Sequence, residues 1–132
     1  MENGKKKIVV ADDEEIIRTA LTELLFDRYY VLTAIDGREA VEIAERESPD
    51  LIIMDIIMPK MDGYEACRRI KAGSKTSAIP VLMLTAKDGL DDALTGFNAG
   101  ADSYMIKPFT TSILMAKIKD MISRAELNER HN

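Results

Sequence analysis

Tryptophan is absent from this 132-residue chain, and cysteine and histidine occur once each, at Cys67 and His131. A lone cysteine forms no internal disulfide, and one cysteine with one distant histidine cannot supply the ligand set of a structural zinc site. Both read as ordinary residues. Long apolar runs are also missing: stretches such as Leu51-Ile52-Ile53-Met54 fall far short of the roughly 20 residues needed to span a bilayer. Met1 to Lys7 lacks the apolar core of a signal peptide, so the expected location is the cytoplasm, away from membranes. An excess of basic charge is lacking too. Eighteen Lys plus Arg against 23 Asp plus Glu give a net charge of −5, which opposes adhesion to nucleic-acid phosphates or anionic lipid. Lys5-Lys6-Lys7 is read as a solubilising run, and no direct nucleic-acid binding is expected.

What is present fits one globular unit. Hydrophobic residues make up 46% and charged residues 31%, and the length is below the roughly 150 residues of an average domain. The expected organisation is one domain over residues 1–127, then a polar tail, 128–132. Five short apolar runs have the length and β-branched content of strands: Ile8 to Ala11, Tyr30 to Ala34, Leu51 to Met54, Ile79 to Leu84 and Ser103 to Ile106. Helical stripes separate them, the clearest being Ile17, Ala20, Leu21, Leu24 and Leu25. Shorter stripes run through Ala40, Val41 and Ala44, through Ala66, Cys67 and Ile70, and through Leu90, Ala93, Leu94 and Phe97. The last contains Leu114, Ile118, Met121, Ile122 and Ala125. Asp36-Gly37 and Asp62-Gly63 open the second and third helices, while Ser48-Pro49, Gly73-Ser74 and Gly100 close the second, third and fourth.

Such alternation requires an α/β fold: an open, doubly wound, five-stranded parallel sheet with helices on both faces and right-handed crossovers. Runs one, three and four are almost wholly apolar, as strands covered on both faces must be. Tyr29-Tyr30 and Asp102-Ser103-Tyr104 make the second and fifth more polar, so those two are the expected edges. Polar residues follow four of the runs directly: Asp12-Asp13, Asp55, Thr85 and Lys107. In a parallel sheet all C-terminal strand ends share one edge, where ligands bind, so these distant residues converge. Three carboxylates and one ammonium leave a formal −2 that favours a divalent cation. An oxygen-rich site with few protein ligands suits Mg²⁺. A central carboxylate beside a metal and a lysine is placed to attack phosphorus. Each residue alone has an ordinary explanation. Asp12 with Glu15 has capping-box spacing, Asp55 and Lys107-Pro108 sit where turns form, and Thr85 stands where a helix cap would. Their convergence on one edge outweighs those separate readings.

In this order and on this βα pattern, the residues closely resemble the receiver domain of two-component response regulators. The resemblance covers roughly residues 5 to 125. It is carried by Val10-Ala11-Asp12-Asp13-Glu14, by Asp55-Ile56-Ile57-Met58-Pro59 with Asp62-Gly63, by Leu84-Thr85-Ala86, and by Gly100-Ala101-Asp102-Ser103-Tyr104 leading to Lys107-Pro108-Phe109. It implies the flavodoxin-like strand order 2-1-3-4-5. It further implies that Asp55 takes a phosphoryl group from a phosphohistidine of a sensor histidine kinase or phosphotransfer protein. By the same resemblance Asp12, Asp13, Asp55 and the backbone carbonyl of Ile57 hold Mg²⁺, and Lys107 binds a phosphoryl oxygen. Thr85 and Tyr104 would form the switch, with a cis bond between Lys107 and Pro108. The surface of the fourth helical segment, the fifth strand and the last helix would meet a downstream target or output domain. The chain would be no enzyme toward other substrates, catalysing only its own phosphorylation and dephosphorylation.

Departures from the family refine these expectations. Ile57 and Lys87 occupy positions that tune hydrolysis of the phosphate, and Ile57 cannot orient a water by hydrogen bonding. Ala93, Thr95, Ser103 and Ile113 replace charged residues of the winged-helix regulators' dimer surface, and Ile113-Leu114-Met115 makes the start of the last helix more apolar than one core stripe needs. Gly89, Thr95 and Gly96 are poor helix formers, so the fourth helix is expected to exchange between conformers. Two enzyme classes are opposed by motif: no glycine-rich phosphate loop follows the first strand, and Asp55-Ile56-Ile57 lacks the second aspartate of haloacid-dehalogenase-type phosphatases. The remaining alternative is an interaction module of the same fold that does not use phosphate.

Overall fold

A computed structural model describes residues 4–85 and 99–131. Five parallel strands, β1 (Lys7–Ala11), β2 (Tyr30–Ala34), β3 (Leu51–Asp55), β4 (Val81–Thr85) and β5 (Ser103–Ile106), form one sheet in the order β2-β1-β3-β4-β5. The edges are the two strands singled out by their polarity. Helices α1 (Glu15–Leu25), α2 (Gly37–Glu47) and α3 (Gly63–Ala72) and a C-terminal helix (Thr111–His131) complete the described elements. The expected fourth helix, with Gly89, Ala93, Thr95 and Gly96, falls outside the described residues, as do Lys87 and the side chain of Thr85.

Alternation along the strands builds two cores. Val9, Ile52, Met54, Val81 and Met83 face α2 and α3, joining Ala40, Ala44, Cys67 and Ile70. Ile8, Val10, Leu51, Ile53, Leu82 and Leu84 face the opposite way, onto Leu21 and Leu25 of α1 and Leu114, Ile118 and Met121 of the C-terminal helix. Because side chains alternate with period two, one apolar strand serves both cores. Cys67 is fully buried, and that burial pushes its thiol up to about 11, so it is an unreactive packing residue.

The element ends follow local chemistry. Asp36 and Asp62 are N-caps whose carboxylates accept from the amides of Glu39 (2.8 Å) and Glu65 (2.9 Å). Ser48 closes α2 in the left-handed conformation and Gly73 closes α3. Three boundaries differ from expectation. β4 begins at Val81 rather than Ile79, since Pro80 has no amide to give a neighbour and contributes only its carbonyl, to Ile52 N at 3.0 Å. The capping reading of Asp12 is replaced: Glu14 is the N-cap of α1 without a side-chain cap, and Asp12 Oδ1 accepts from Glu14 N at 2.9 Å. The C-terminal helix runs on to His131, through residues set apart as a tail. An apolar stripe ends where core contact ends, whereas backbone hydrogen bonding needs no core, and Glu126 is tied to Lys6 at 2.6 Å.

Candidate functional site

Strand register brings the polar residues together. Ala11 pairs with Met54, so the next residues, Asp12 and Asp55, stand side by side. Asp55 pairs with Leu84 and Thr85 with Ile106, which sets the end of β4 between Asp55 and Lys107. Carboxylate oxygens of Asp12, Asp13 and Asp55 lie within 4.8 Å of one another. Lys107 Nζ reaches Asp55 Oδ1 at 3.4 Å and Asp12 Oδ2 at 3.7 Å. The Lys107–Pro108 peptide bond is cis. Tyr104 is half-buried and packs on the core beneath α2 and α3.

The electrostatics fit a cation. Asp12 is 1% exposed, and its Oδ2 accepts no hydrogen bond. A buried carboxylate oxygen in that position is costly unless positive charge faces it, and Lys107 supplies part of that charge from 3.7 Å without a hydrogen bond. Asp55 Oδ1 accepts from Ile56 N at 2.9 Å. Burial nevertheless holds the Asp55 carboxyl above the usual carboxylate range, against the opposing pull of Lys107 and with Asp12 adding to the upward push. Three clustered carboxylates, one with an unsatisfied buried oxygen, form a donor set of hard oxygens suited to a divalent ion.

Two contributors were not singled out from sequence as parts of the site. Arg18, one turn into α1, donates from Nη1 to the carbonyl oxygen of Asp12 at 2.7 Å and pins the backbone beneath the acid pair. Nothing in the spacing signals it, because the bond depends on how the β1–α1 turn folds back. Gly63 enters the sequence reading as a helix opener and, with Asp62, as part of a resemblance motif, without a contact assigned to it. It packs directly on β3: a Cβ there would overlap the Asp55 carbonyl oxygen and lie 3.0 Å from Ile56 Cα, while its amide donates to Ile56 O at 2.7 Å. Ile57, by contrast, points outward at 76% exposure. The three N-terminal lysines are each engaged, Lys5 with the Phe26 carbonyl, Lys6 with Glu126 and Lys7 with Glu47. Among the described residues no helix is long and apolar enough to cross a membrane.

Comparison with known proteins agrees with this geometry. Residues 8–119 match the family model of the response regulator receiver domain. The chain is 46% identical over 127 residues to a probable transcriptional regulator, ycf27, of Cyanophora paradoxa, covering 96% of this chain and 52% of that protein. It is 46% identical over 123 residues to the alkaline phosphatase synthesis transcriptional regulatory protein PhoP of Bacillus subtilis (strain 168), covering 92% and 50%. The chain thus spans about half the length of these curated relatives. Among solved structures, the receiver domain of the sensor histidine kinase PA1611 from Pseudomonas aeruginosa PAO1 superposes with a TM-score of 0.85 at 31% identity, covering 91% of this chain and 99% of that one. That structure has a magnesium ion coordinated in its active-site cleft. With a family match across most of its length, this chain belongs to the receiver domains of two-component response regulators.

Proposed function

We propose that Asp55 accepts a phosphoryl group from the phosphohistidine of a sensor histidine kinase or phosphotransfer protein, and that the phosphorylated chain engages a downstream target or output domain. The observation that carries this reading is the cluster itself: Asp55 at the sheet edge, Lys107 Nζ 3.4 Å away, and a buried Asp12 oxygen without a hydrogen bond beside it. In the transfer, an Asp55 carboxylate oxygen forms a bond to phosphorus while the bond from phosphorus to the histidine nitrogen breaks and its electron pair stays on the imidazole. Lys107 balances charge on the phosphoryl oxygens and orients them. Asp12, Asp13, Asp55 and the Ile57 carbonyl would hold Mg²⁺, which supplies further charge neutralisation to those oxygens when bound. Thr85 and Tyr104 pass the change to β5 and the C-terminal helix, where Ile106 and Ile113 stand exposed. Leu114, next to Ile113, is fully buried in the core. The chain works in the cytoplasm without touching nucleic acid directly, and its chemistry begins and ends on its own carboxylate.

Intact mass after incubation with acetyl phosphate tests the reading. One adduct of roughly 80 Da that requires Mg²⁺ and is lost in Asp55→Ala supports it. A folded protein that takes no phosphate from acetyl phosphate or from a phosphorylated kinase points instead to an interaction module. The adduct is also expected to persist for minutes or longer, because the exposed apolar side chain of Ile57 gives an attacking water no hydrogen bond. Decay within seconds in buffer, followed by the same mass measurement, would contradict that.

A further inference from the structure

The loop between β3 and α3 carries the Ile57 carbonyl, and it is folded against local preference. Met61 N donates to Pro59 O at 2.7 Å, closing a three-residue turn centred on Lys60, whose φ is 67°. Tight turns of that hand on a residue with a side chain are strained and persist only where surrounding structure holds them. One holder is Gly63 at the loop's end. The other comes from outside the site: Gly37, the first residue of α2, donates its amide to the Met61 carbonyl at 3.0 Å.

The physical logic of that contact is specific. An amide in the first turn of a helix has no partner within the helix, so α2 can offer it outward, with its positive end facing the carbonyl oxygen. The two backbones touch. A Cβ on Gly37 would overlap the Met61 oxygen and stand 3.0 Å from the Asp62 oxygen. Gly37 does not adopt a left-handed φ, so what excludes a larger residue there is the loop and not the glycine's own conformation. The start of α2 is itself fixed, since buried Asp36 caps it and Glu39 returns a bond to the Ile35 amide at 3.1 Å. Displacement caused by a Cβ must therefore fall on the loop.

We infer that Gly37 is a positioning residue for the phosphoacceptor site: the first turn of α2 clamps the β3–α3 loop in the shape that presents Ile57's carbonyl to the metal. This rests on the receiver chemistry proposed above. Supporting groups behind a metal site typically change affinity by about 10- to 100-fold when lost, and Gly37→Ala is expected to weaken Mg²⁺ binding by roughly 10-fold. Mg²⁺ titrations followed by amide shifts, with acetyl phosphate labelling in parallel, would compare wild type, Gly37→Ala and Ile118→Ala. Ile118 is buried on the other face of the sheet and controls for lost stability; its variant should keep wild-type Mg²⁺ affinity. Should Gly37→Ala fail to fold, hydrogen exchange on the wild type decides. Relative to chelator, Mg²⁺ should slow exchange of the Gly37 amide several-fold more than that of the Ile118 amide, which reports only the global stabilisation that binding confers. Wild-type affinity in folded Gly37→Ala, or a Gly37 amide slowed no more than Ile118 in a protein that binds Mg²⁺, overturns the clamp alone. A wild type that neither binds Mg²⁺ nor accepts phosphate overturns the clamp together with the proposed chemistry.

Discussion

Replacing Lys107 with methionine is expected to slow phosphorylation of Asp55 by roughly 100- to 1,000-fold, the usual cost of removing one charge-stabilising donor from a transition state. The same change should tighten the pocket's hold on Mg²⁺. Lys107 Nζ lies 3.4 Å from Asp55 and 3.7 Å from Asp12, so it competes with a divalent ion for the same negative charge. Methionine keeps most of the length and apolar stem while removing the ammonium, which separates charge from packing. General damage to the site would weaken both functions together, whereas loss of the lysine charge moves them in opposite directions. Labelling time courses by intact mass at saturating Mg²⁺, paired with Mg²⁺ titration, read the two effects independently. A labelling rate within threefold of wild type would show that Lys107 does not act on the transferring phosphoryl group.

Much of this arrangement is legible from residue pattern. β1, β3 and β4 announce themselves as continuous apolar runs because each faces two cores, and the more polar second and fifth runs are the observed edges. Asp12, Asp13, Asp55 and Lys107 converge because parallel topology puts every strand's C-terminal end on one side. That inference needs only the order of elements. What escapes the pattern is contact made by backbone. Gly37 and Gly63 look alike in sequence, each following an aspartate and opening a helix. Yet one braces the Met61 carbonyl and the other lies against Asp55 itself. Neither role has a periodic signature, since both depend on how closely two chains approach in space. Arg18 is hidden for a related reason, because its partner is a carbonyl that every residue possesses. The overrun of the C-terminal helix to His131 reflects a different limit: apolar stripes mark where a helix is buried, not where its hydrogen bonds stop.

In metal-free protein, Asp55→Asn is expected to raise Tm measurably. Burial is the chief reason that the Asp55 carboxyl sits above the usual range, with Asp12 reinforcing it, and Lys107 and the Ile56 amide only partly offset them. Folding therefore favours the neutral form, and the ionised group is a net cost at neutral pH. The sign of the pH dependence follows from linkage. Stability associated with neutral Asp55 is complete below the unfolded carboxylate value near ~4 and is lost as pH rises through the higher folded value. The advantage of asparagine should accordingly be largest near neutrality and vanish as pH falls toward about 4, where wild-type Asp55 is also uncharged. Divalent metal should invert the ranking. A ligand at 100 times its dissociation constant adds about 2.7 kcal/mol to the state that binds it, and the wild type, with its full set of carboxylates, gains more than the asparagine variant. Thermal melts at neutral pH in chelator and in Mg²⁺, with a chelator series extended to acid, would show this crossing. A variant less stable than wild type in chelator would mean that Lys107 more than compensates for burial. In that event the free pocket would not be electrostatically strained. A crossing, by contrast, ties the marginal stability of the empty site to the affinity of the filled one through the same Asp55 charge.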